Sequence, residues 1–236
     1  MTRATSKSTD FQCCFCDKKF KREETILTHK CTKRDRYNDR DSRQMREAFR
    51  IYMHFMTFNR MSIKKGVEPL MHFIKSKYFN EFYDLAGYVL QTDILNKEDF
   101  ITNIISTGKK VYEWTTTKTL TEWTIQCIKN EHPTYAVERS IPALVEWGAL
   151  NECEWNTFFA NVSTERAIRW LETGKISPWL IYTAAPESGN KLLSRFSDTE
   201  LDYIYQYIEP TFFTRKMIKY DAECKRIREL LTGAGL

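Results

Sequence analysis

The chain has 236 residues, of which 42% are hydrophobic and 14% are aromatic. This composition excludes a disordered or collagen-like protein, and only eight Gly and six Pro argue against a loop-rich or β-rich fold. Residues 1–50 contain 14 Lys and Arg against 8 Asp and Glu, so the whole net charge of +5 arises in that segment. The remaining sequence is close to neutral.

The first ten residues contain no apolar run, and no later stretch approaches the roughly eighteen uncharged apolar residues of a membrane helix. We therefore expect no signal peptide and no membrane partner, and we expect residues 1–10 to be flexible. Four of the seven cysteines lie between residues 13 and 31, a crowding that favours metal ligands and core thiols over a disulfide framework. A soluble intracellular protein is predicted, in the host cytoplasm or, for a viral protein, in the virion.

Residues 11–29 contain a spaced set of cysteine, aromatic, aliphatic and histidine residues. Two residues separate Cys13 from Cys16, and twelve separate Cys16 from His29, with Phe20 and Ile26 between them. This pattern resembles a zinc finger of the two-Cys, two-His family. The resemblance implies a ββα module over about residues 11–33, with two thiolates on a hairpin turn, a histidine on the helix and a bound Zn²⁺. Metal binding and folding would then be one event.

The fourth ligand departs from the family pattern. The family places His or Cys three to five positions after the first histidine, whereas Lys, Arg and Asp occupy residues 33–35. Cys31 is the nearest candidate, but it follows His29 by two residues, and residues with that spacing lie about 200° apart around a helix axis. His29 and Cys31 can therefore share an ion only if the helix unwinds near Lys30.

The neighbouring Cys14 leaves a second choice open, because it can replace Cys13 as a ligand. Phe11 and the Cys-x-x-Cys turn favour Cys13. The competing interpretation is a group of reduced, buried cysteines without metal. We predict a zinc site formed by Cys13, Cys16, His29 and Cys31.

A nearly continuous basic segment overlaps the finger and continues to residue 50. Such a segment is typical of a phosphate-binding surface, although Asp35, Asp39 and Asp41 interrupt it and a solvated charged face is the alternative. We predict contacts with a nucleic-acid backbone, and expect DNA, from Lys19, Lys21, Lys30, Lys33, Arg34 and Arg36.

If the finger helix lies as in the family, Arg22, Thr25 and Thr28 would face base edges. A single finger covers only about three base pairs. Docking to a protein is an equally weighted alternative.

Helical patterns dominate after the finger. Asp41 or Ser42 can cap an amphipathic helix within a basic segment over residues 34–60, and further helices are predicted at 69–76 and 79–90. Residues 61–236 are predicted to form an all-α domain. The overall prediction is a mostly α protein, a small N-terminal ββα finger followed by stacked helical hairpins.

A weak repeat of about 55 residues relates residues 95–150 to residues 150–206. The Leu-Asn pairs at 95 and 150 recur with this offset, as do tryptophans at 114 and 123 against 170 and 179. We interpret the two Asn residues as helix caps and the tryptophans as core residues, with base stacking as a secondary role. Residues 211–232 form a heptad pattern that predicts one helix, packed on the chain's own helical domain or on a partner.

No catalytic motif is evident, and His54, His72 and His132 are isolated. We therefore predict that the chain is not an enzyme and has no small-molecule substrate. Two hypotheses remain: a nucleic-acid-binding accessory protein whose helical domain docks a larger assembly, and a structural or assembly protein whose finger docks a protein partner. Low Gly and Pro with abundant Lys, Asn, Ile, Tyr and Phe suit an AT-rich microbial or viral genome, so a viral, tailed-phage origin is a hypothesis.

Overall fold

The computed structural model describes residues 11–236, and the predicted flexible segment 1–10 lies outside the described residues. The fold is mostly α, with one two-stranded sheet at the start of the described chain, which confirms the predicted fold class. The chain divides into two compact units. The described part of unit 1 comprises residues 11–92 and 101–115, and unit 2 comprises residues 93–100 and 116–236.

Unit 1 begins with strand β1, Phe11–Gln12, which pairs antiparallel with β2, Lys19–Phe20, so that Phe11 lies opposite Phe20. Its helices are α1 Glu23–Leu27, α2 Thr32–Asn38, α3 Arg43–Phe58, α4 Pro69–Lys75 and α5 Phe79–Gln91, followed by the end of α6 Lys97–Ser106 and a 3₁₀ turn at Val111–Glu113.

The core of unit 1 forms where α3 packs against α4 and α5. Ser42 starts α3 as predicted, because its Oγ accepts the backbone N–H of Met45 at 3.1 Å. The fully buried ring of Phe73 lies 4.9 Å from the Tyr52 ring, and Tyr52 meets Phe82 edge-on at 5.3 Å. These aromatic contacts hold α4 against the longer α3 and α5, and α4 in turn packs against α2.

Unit 2 is helical throughout its described residues. Its core forms around α8 (Pro133–Leu150), against which α11 (Pro178–Thr183) and α15 (Asp221–Gly233) pack. Its largest fully buried side chain is Trp179. Its further elements are the start of α6, α7 Thr117–Asn130, α8 Pro133–Leu150, a 3₁₀ turn at Trp155–Thr157, α9 Phe158–Asn161, α10 Thr164–Glu172, α11 Pro178–Thr183, α12 Pro186–Leu193, α13 Asp198–Ile208, α14 Pro210–Lys219 and α15 Asp221–Gly233.

The predicted repeat does not correspond to two equivalent structural segments. Residues 101–115 belong to unit 1, so the first copy is divided between the units, while the second lies within unit 2. Asn151 ends α8 instead of starting a helix, because its Nδ2 donates to the carbonyl oxygen of Trp147 at 2.7 Å. Three of the four repeat tryptophans are buried and Trp170 is half-buried, consistent with core residues.

The C-terminal heptad pattern spans two helices, α14 and α15, where a single helix over 211–232 was predicted. Tyr220 separates them with a non-helical ψ of 37°. Its ring lies 6.2 Å from Trp179, and Phe213 and Ile227 on either side are both buried in the unit 2 core. The break at Tyr220 lets both α14 and α15 pack on the unit 2 core. The heptad residues therefore pack on the chain's own helical domain, one of the two partners that the pattern allowed.

Charge is divided unequally between the two units. Residues 11–92 and 101–115 contain 19 Lys and Arg against 11 Asp and Glu, a net charge of +8. Residues 93–100 and 116–236 contain 15 Lys and Arg against 19 Asp and Glu, a net charge of −4.

Among the described residues no helix is both long enough and apolar enough to cross a membrane.

Candidate metal centre

The turn between β1 and β2 presents the first two cysteines. The backbone N–H of Cys13 donates to the carbonyl of Lys18, and the N–H of Asp17 donates to the carbonyl of Cys13, both at 2.9 Å. Asp17 adopts a φ of +62°, the left-handed conformation that glycine usually supplies and that Asp tolerates better than most residues. This tight turn brings Cys13 and Cys16 to the same side of the hairpin.

The second pair of ligand candidates lies where the helix is interrupted. Helix α1 ends at Leu27, and His29 follows in non-helical backbone. Cys31 has extended backbone, with φ −120° and ψ 98°, and is the N-cap of α2. The predicted unwinding near Lys30 is therefore present. The family resemblance implied that His29 lies on the helix, but His29 lies just beyond the end of α1.

The four side chains converge on one point. Sγ of Cys13 lies 3.8 Å from Sγ of Cys31, and Sγ of Cys16 lies 3.2 Å from Nε2 of His29. All four donor atoms lie within 4.8 Å of one another. A tetrahedron of ligands about 2.3 Å from a central ion has edges of about 3.8 Å, so this donor set fits a four-coordinate metal. Exposed Cys14 lies outside the cluster, which decides the choice in favour of Cys13.

Local hydrogen bonds favour thiolate at this site. The backbone N–H of Cys16 lowers the pKa of Cys13 to about 7, with further lowering from the N–H of Phe15. Burial raises the pKa of Cys31, opposed by the backbone N–H of Arg34, which donates to its Sγ at 3.4 Å. A metal ion in contact with this sulfur would favour loss of the Cys31 proton.

Only a small apolar cluster supports the site. The Phe20 ring lies 4.9 Å from the His29 imidazole at an interplanar angle of 44°. Phe11 and Ile26 are half-buried, and α1 has no buried residue. Because so little apolar surface is buried here, a metal ion bound by the four donors would add substantially to the stability of the β1–β2–α1 segment.

Two contacts within unit 1 attach this segment to the helices that follow, and Arg36 then joins α2 to α4 and α5. Asp17 Oδ2 lies 2.7 Å from Lys75 Nζ at the end of α4, and the Phe15 ring lies 5.4 Å from the Tyr37 ring of α2. Arg36 on α2 donates to the carbonyl of Ile74 at 3.0 Å and to Oδ1 of Asn80 at 2.9 Å. The finger-like segment is therefore part of a larger folded unit.

The predicted phosphate-binding residues have different environments. Lys30 and Lys33 line the opening over Cys16 and His29 together with Lys18. Arg34 donates to the carbonyl of His29 at 3.3 Å, and Arg36 is held by the contacts above, with its guanidinium 3.9 Å from the Phe79 ring centre. Five further predicted residues in and beside β2 and α1 are exposed: Lys19, Lys21, Arg22, Thr25 and Thr28. The hydroxyl of Thr28 donates to the carbonyl of Glu24 at 2.9 Å.

Sequence reasoning missed two residues that matter at this site. Lys18 lies in the basic segment but was not among the predicted contacts, because its position beside the candidate ligands depends on the hairpin turn. Lys75 lies 58 residues from Asp17, and no local pattern connects them.

A scan against protein-family models, a search of curated proteins and a search of solved structures each found no match to this chain. The site is thus defined by its own geometry: three cysteines and one histidine in an arrangement compatible with metal binding.

Proposed function

We propose that the chain is a zinc-binding, non-catalytic protein that uses unit 1 to contact the phosphate backbone of nucleic acid. The choice of zinc rests on the donor set of Cys13, Cys16, His29 and Cys31, since three thiolates and one imidazole are a common structural zinc environment. A bound Zn²⁺ would supply a structural cross-link and no reactive position, because all four positions would be taken by protein.

One observation carries the nucleic-acid proposal: Lys18, Lys30 and Lys33 lie around one opening over Cys16 and His29. Zn²⁺ with three thiolates and a neutral imidazole has a net charge of −1, which balances only one of these cations. The remaining positive charge of these lysines lies in unit 1, whose described residues have a net charge of +8. An extended polyanion fits such a surface, and duplex DNA is the expected form.

The outer face of α1 favours a second candidate function, docking to a protein. Leu27 is 72% exposed there, and the exposed Glu23 and Glu24 share that short helix. Carboxylates repel phosphates, whereas an exposed leucine beside acidic groups suits a groove with an apolar floor and a basic rim. In this alternative the metal centre shapes the segment for a neighbouring protein, and nucleic acid has no role.

Salt-dependent duplex binding distinguishes the two functions. For the nucleic-acid function, affinity falls steeply with salt, and the triple variant Lys18→Ala, Lys30→Ala, Lys33→Ala lowers the slope of log affinity against log salt by about 2–3. The matched control, Lys118→Ala, Lys191→Ala, Lys225→Ala, removes the same charge from unit 2 and leaves the slope unchanged. Metal content is measured in both variants, since none of these substitutions removes a ligand.

A wild-type protein that fails to bind duplex at low salt would exclude the nucleic-acid function. Leu27→Asp then tests the alternative, because it should abolish capture of a partner protein without changing metal content. We further propose that the helical unit 2 docks a larger assembly, which co-purification of the full chain from its native source would test.

A further inference from the structure

An aromatic stripe crosses the surface of unit 2 between α8 and α14. The Tyr135 ring lies 5.8 Å from the His132 ring, and His132 meets Tyr220 at 4.9 Å and 75°. Tyr135 is 71% exposed, while His132 and Tyr220 are half-buried. The Tyr135 ring is therefore accessible to a molecule outside the protein.

Cations accompany these rings along α14. Lys219 Nζ lies 5.3 Å from the centre of the Tyr220 ring, and Lys216 Nζ lies 5.4 Å from the centre of the Phe212 ring. Neither lysine forms an ion pair within residues 11–236. Lys129, which also approaches Phe212, is paired with Glu209 at 2.6 Å.

The local charge of α14 differs from that of its unit. Helix α14 contains Arg215, Lys216 and Lys219 and no carboxylate, whereas unit 2 has a net charge of −4. Lys216 and Lys219 therefore place positive charge beside the rings, although Glu209 and Asp221 flank the helix, and this charge attracts an anionic partner.

We propose that this stripe, formed by Phe212, Lys216, Lys219, Tyr220, His132 and Tyr135, binds single-stranded nucleic acid. A single strand offers phosphates for the lysines and unstacked bases for the tyrosine rings. A duplex hides the faces of its bases, and an acidic peptide supplies charge without rings to stack. The stripe is separate from the lysines around the metal centre and does not depend on their function.

The test is fluorescence anisotropy of the full-length, zinc-loaded chain with a labelled oligothymidylate of about twelve nucleotides, a length that matches the smaller single-strand sites. The variant Tyr135→Ala, Lys216→Ala, Lys219→Ala should bind at least about tenfold more weakly, the loss expected for one stacked base and two phosphate contacts. These side chains are exposed or half-buried, so folding is preserved and is checked by circular dichroism.

The control variant, Tyr112→Ala, Lys225→Ala, Arg226→Ala, removes the same kinds of exposed side chain elsewhere and should bind like wild type. The Lys18, Lys30, Lys33 alanine variant should retain single-strand affinity even where duplex binding is lost, which separates this proposal from the function proposed for unit 1. Wild-type affinity in the stripe variant, absence of oligothymidylate binding by the wild type, or equally tight binding of polyglutamate would overturn the proposal.

Discussion

The Sγ atom of Cys31 accepts the backbone N–H of Arg34 at 3.4 Å, so a ligand of the candidate metal centre is also the N-cap of α2. The same sulfur atom therefore caps this helix and belongs to the donor set that could hold a metal ion. Two residues further along α2, Arg36 donates to α4 and α5 partners. Helix α2 therefore joins the candidate metal centre at its N-terminus to α4 and α5 through Arg36.

Replacing Cys31 by Ala removes one ligand and the N-cap together. We expect zinc affinity to fall by more than the about 10–100-fold that loss of a supporting hydrogen bond costs, because a ligand itself is lost. Competition with a chromogenic chelator measures this affinity. Cys14→Ala is the control, since the exposed Cys14 lies outside the cluster and its removal should leave one equivalent of tightly bound zinc.

Arg36→Ala should destabilise the protein by about 2–3 kcal/mol, because the buried carbonyl of Ile74 loses a charged donor and Phe79 loses its cation contact. Urea denaturation provides the measurement. Arg43→Ala removes an exposed cation from the start of α3 and should change stability by less than about 0.5 kcal/mol. Equal effects of the two substitutions would show that Arg36 does not connect the helices.

Thiol labelling should divide the cysteines into three classes. In the zinc-loaded protein, only the exposed Cys14 and Cys153 should react rapidly with an alkylating agent. Chelation should add the three ligand cysteines. Burial raises the pKa of Cys127 to about 12, and Cys224 is buried, so both should remain unlabelled until denaturant is added. Mass spectrometry of peptides reads each site, and rapid labelling of Cys31 before chelation would contradict the assignment.

The start of α13 should contribute pH-dependent stability. The backbone N–H and hydroxyl of Ser197 donate to Glu200 and hold its carboxyl pKa below the usual value. Because the folded pKa is depressed, this stabilisation is present above the unfolded pKa and is lost as the pH falls through the folded pKa. The stability difference between wild type and Glu200→Gln, measured by urea denaturation, should therefore shrink from pH 7 to pH 3. Asp202→Asn serves as the control, and a difference that persists at pH 3 would refute the assignment.

The clustering of the four candidate ligands was predictable because each signal is local. The spacing of Cys13 and Cys16 defines a turn, and the angular separation of His29 and Cys31 on a helix already required the chain to unwind between them. The break is present, with α1 ending at Leu27 and α2 beginning at Thr32.

Other features could not be predicted because they depend on contacts distant in sequence. Arg36 lies in a basic segment of the kind that contacts phosphates. Its guanidinium instead donates to the carbonyl of Ile74 and the side chain of Asn80, which lie about forty residues away in the sequence. The heptad pattern at residues 211–232 indicated which residues would be buried but not the break at Tyr220, which depends on the shape of the core around Trp179. Periodicity specifies a buried face and leaves the path of the backbone open.

Zinc K-edge X-ray absorption of the purified full-length chain tests the central claim most directly, because it reports the atoms bound to the metal. The four-ligand centre predicts three sulfur atoms at about 2.3 Å and one nitrogen at about 2.0 Å, with one sulfur lost in Cys31→Ala. Two sulfur and two nitrogen or oxygen ligands in the wild type, or a protein that binds no zinc while its cysteines are reduced, would contradict it.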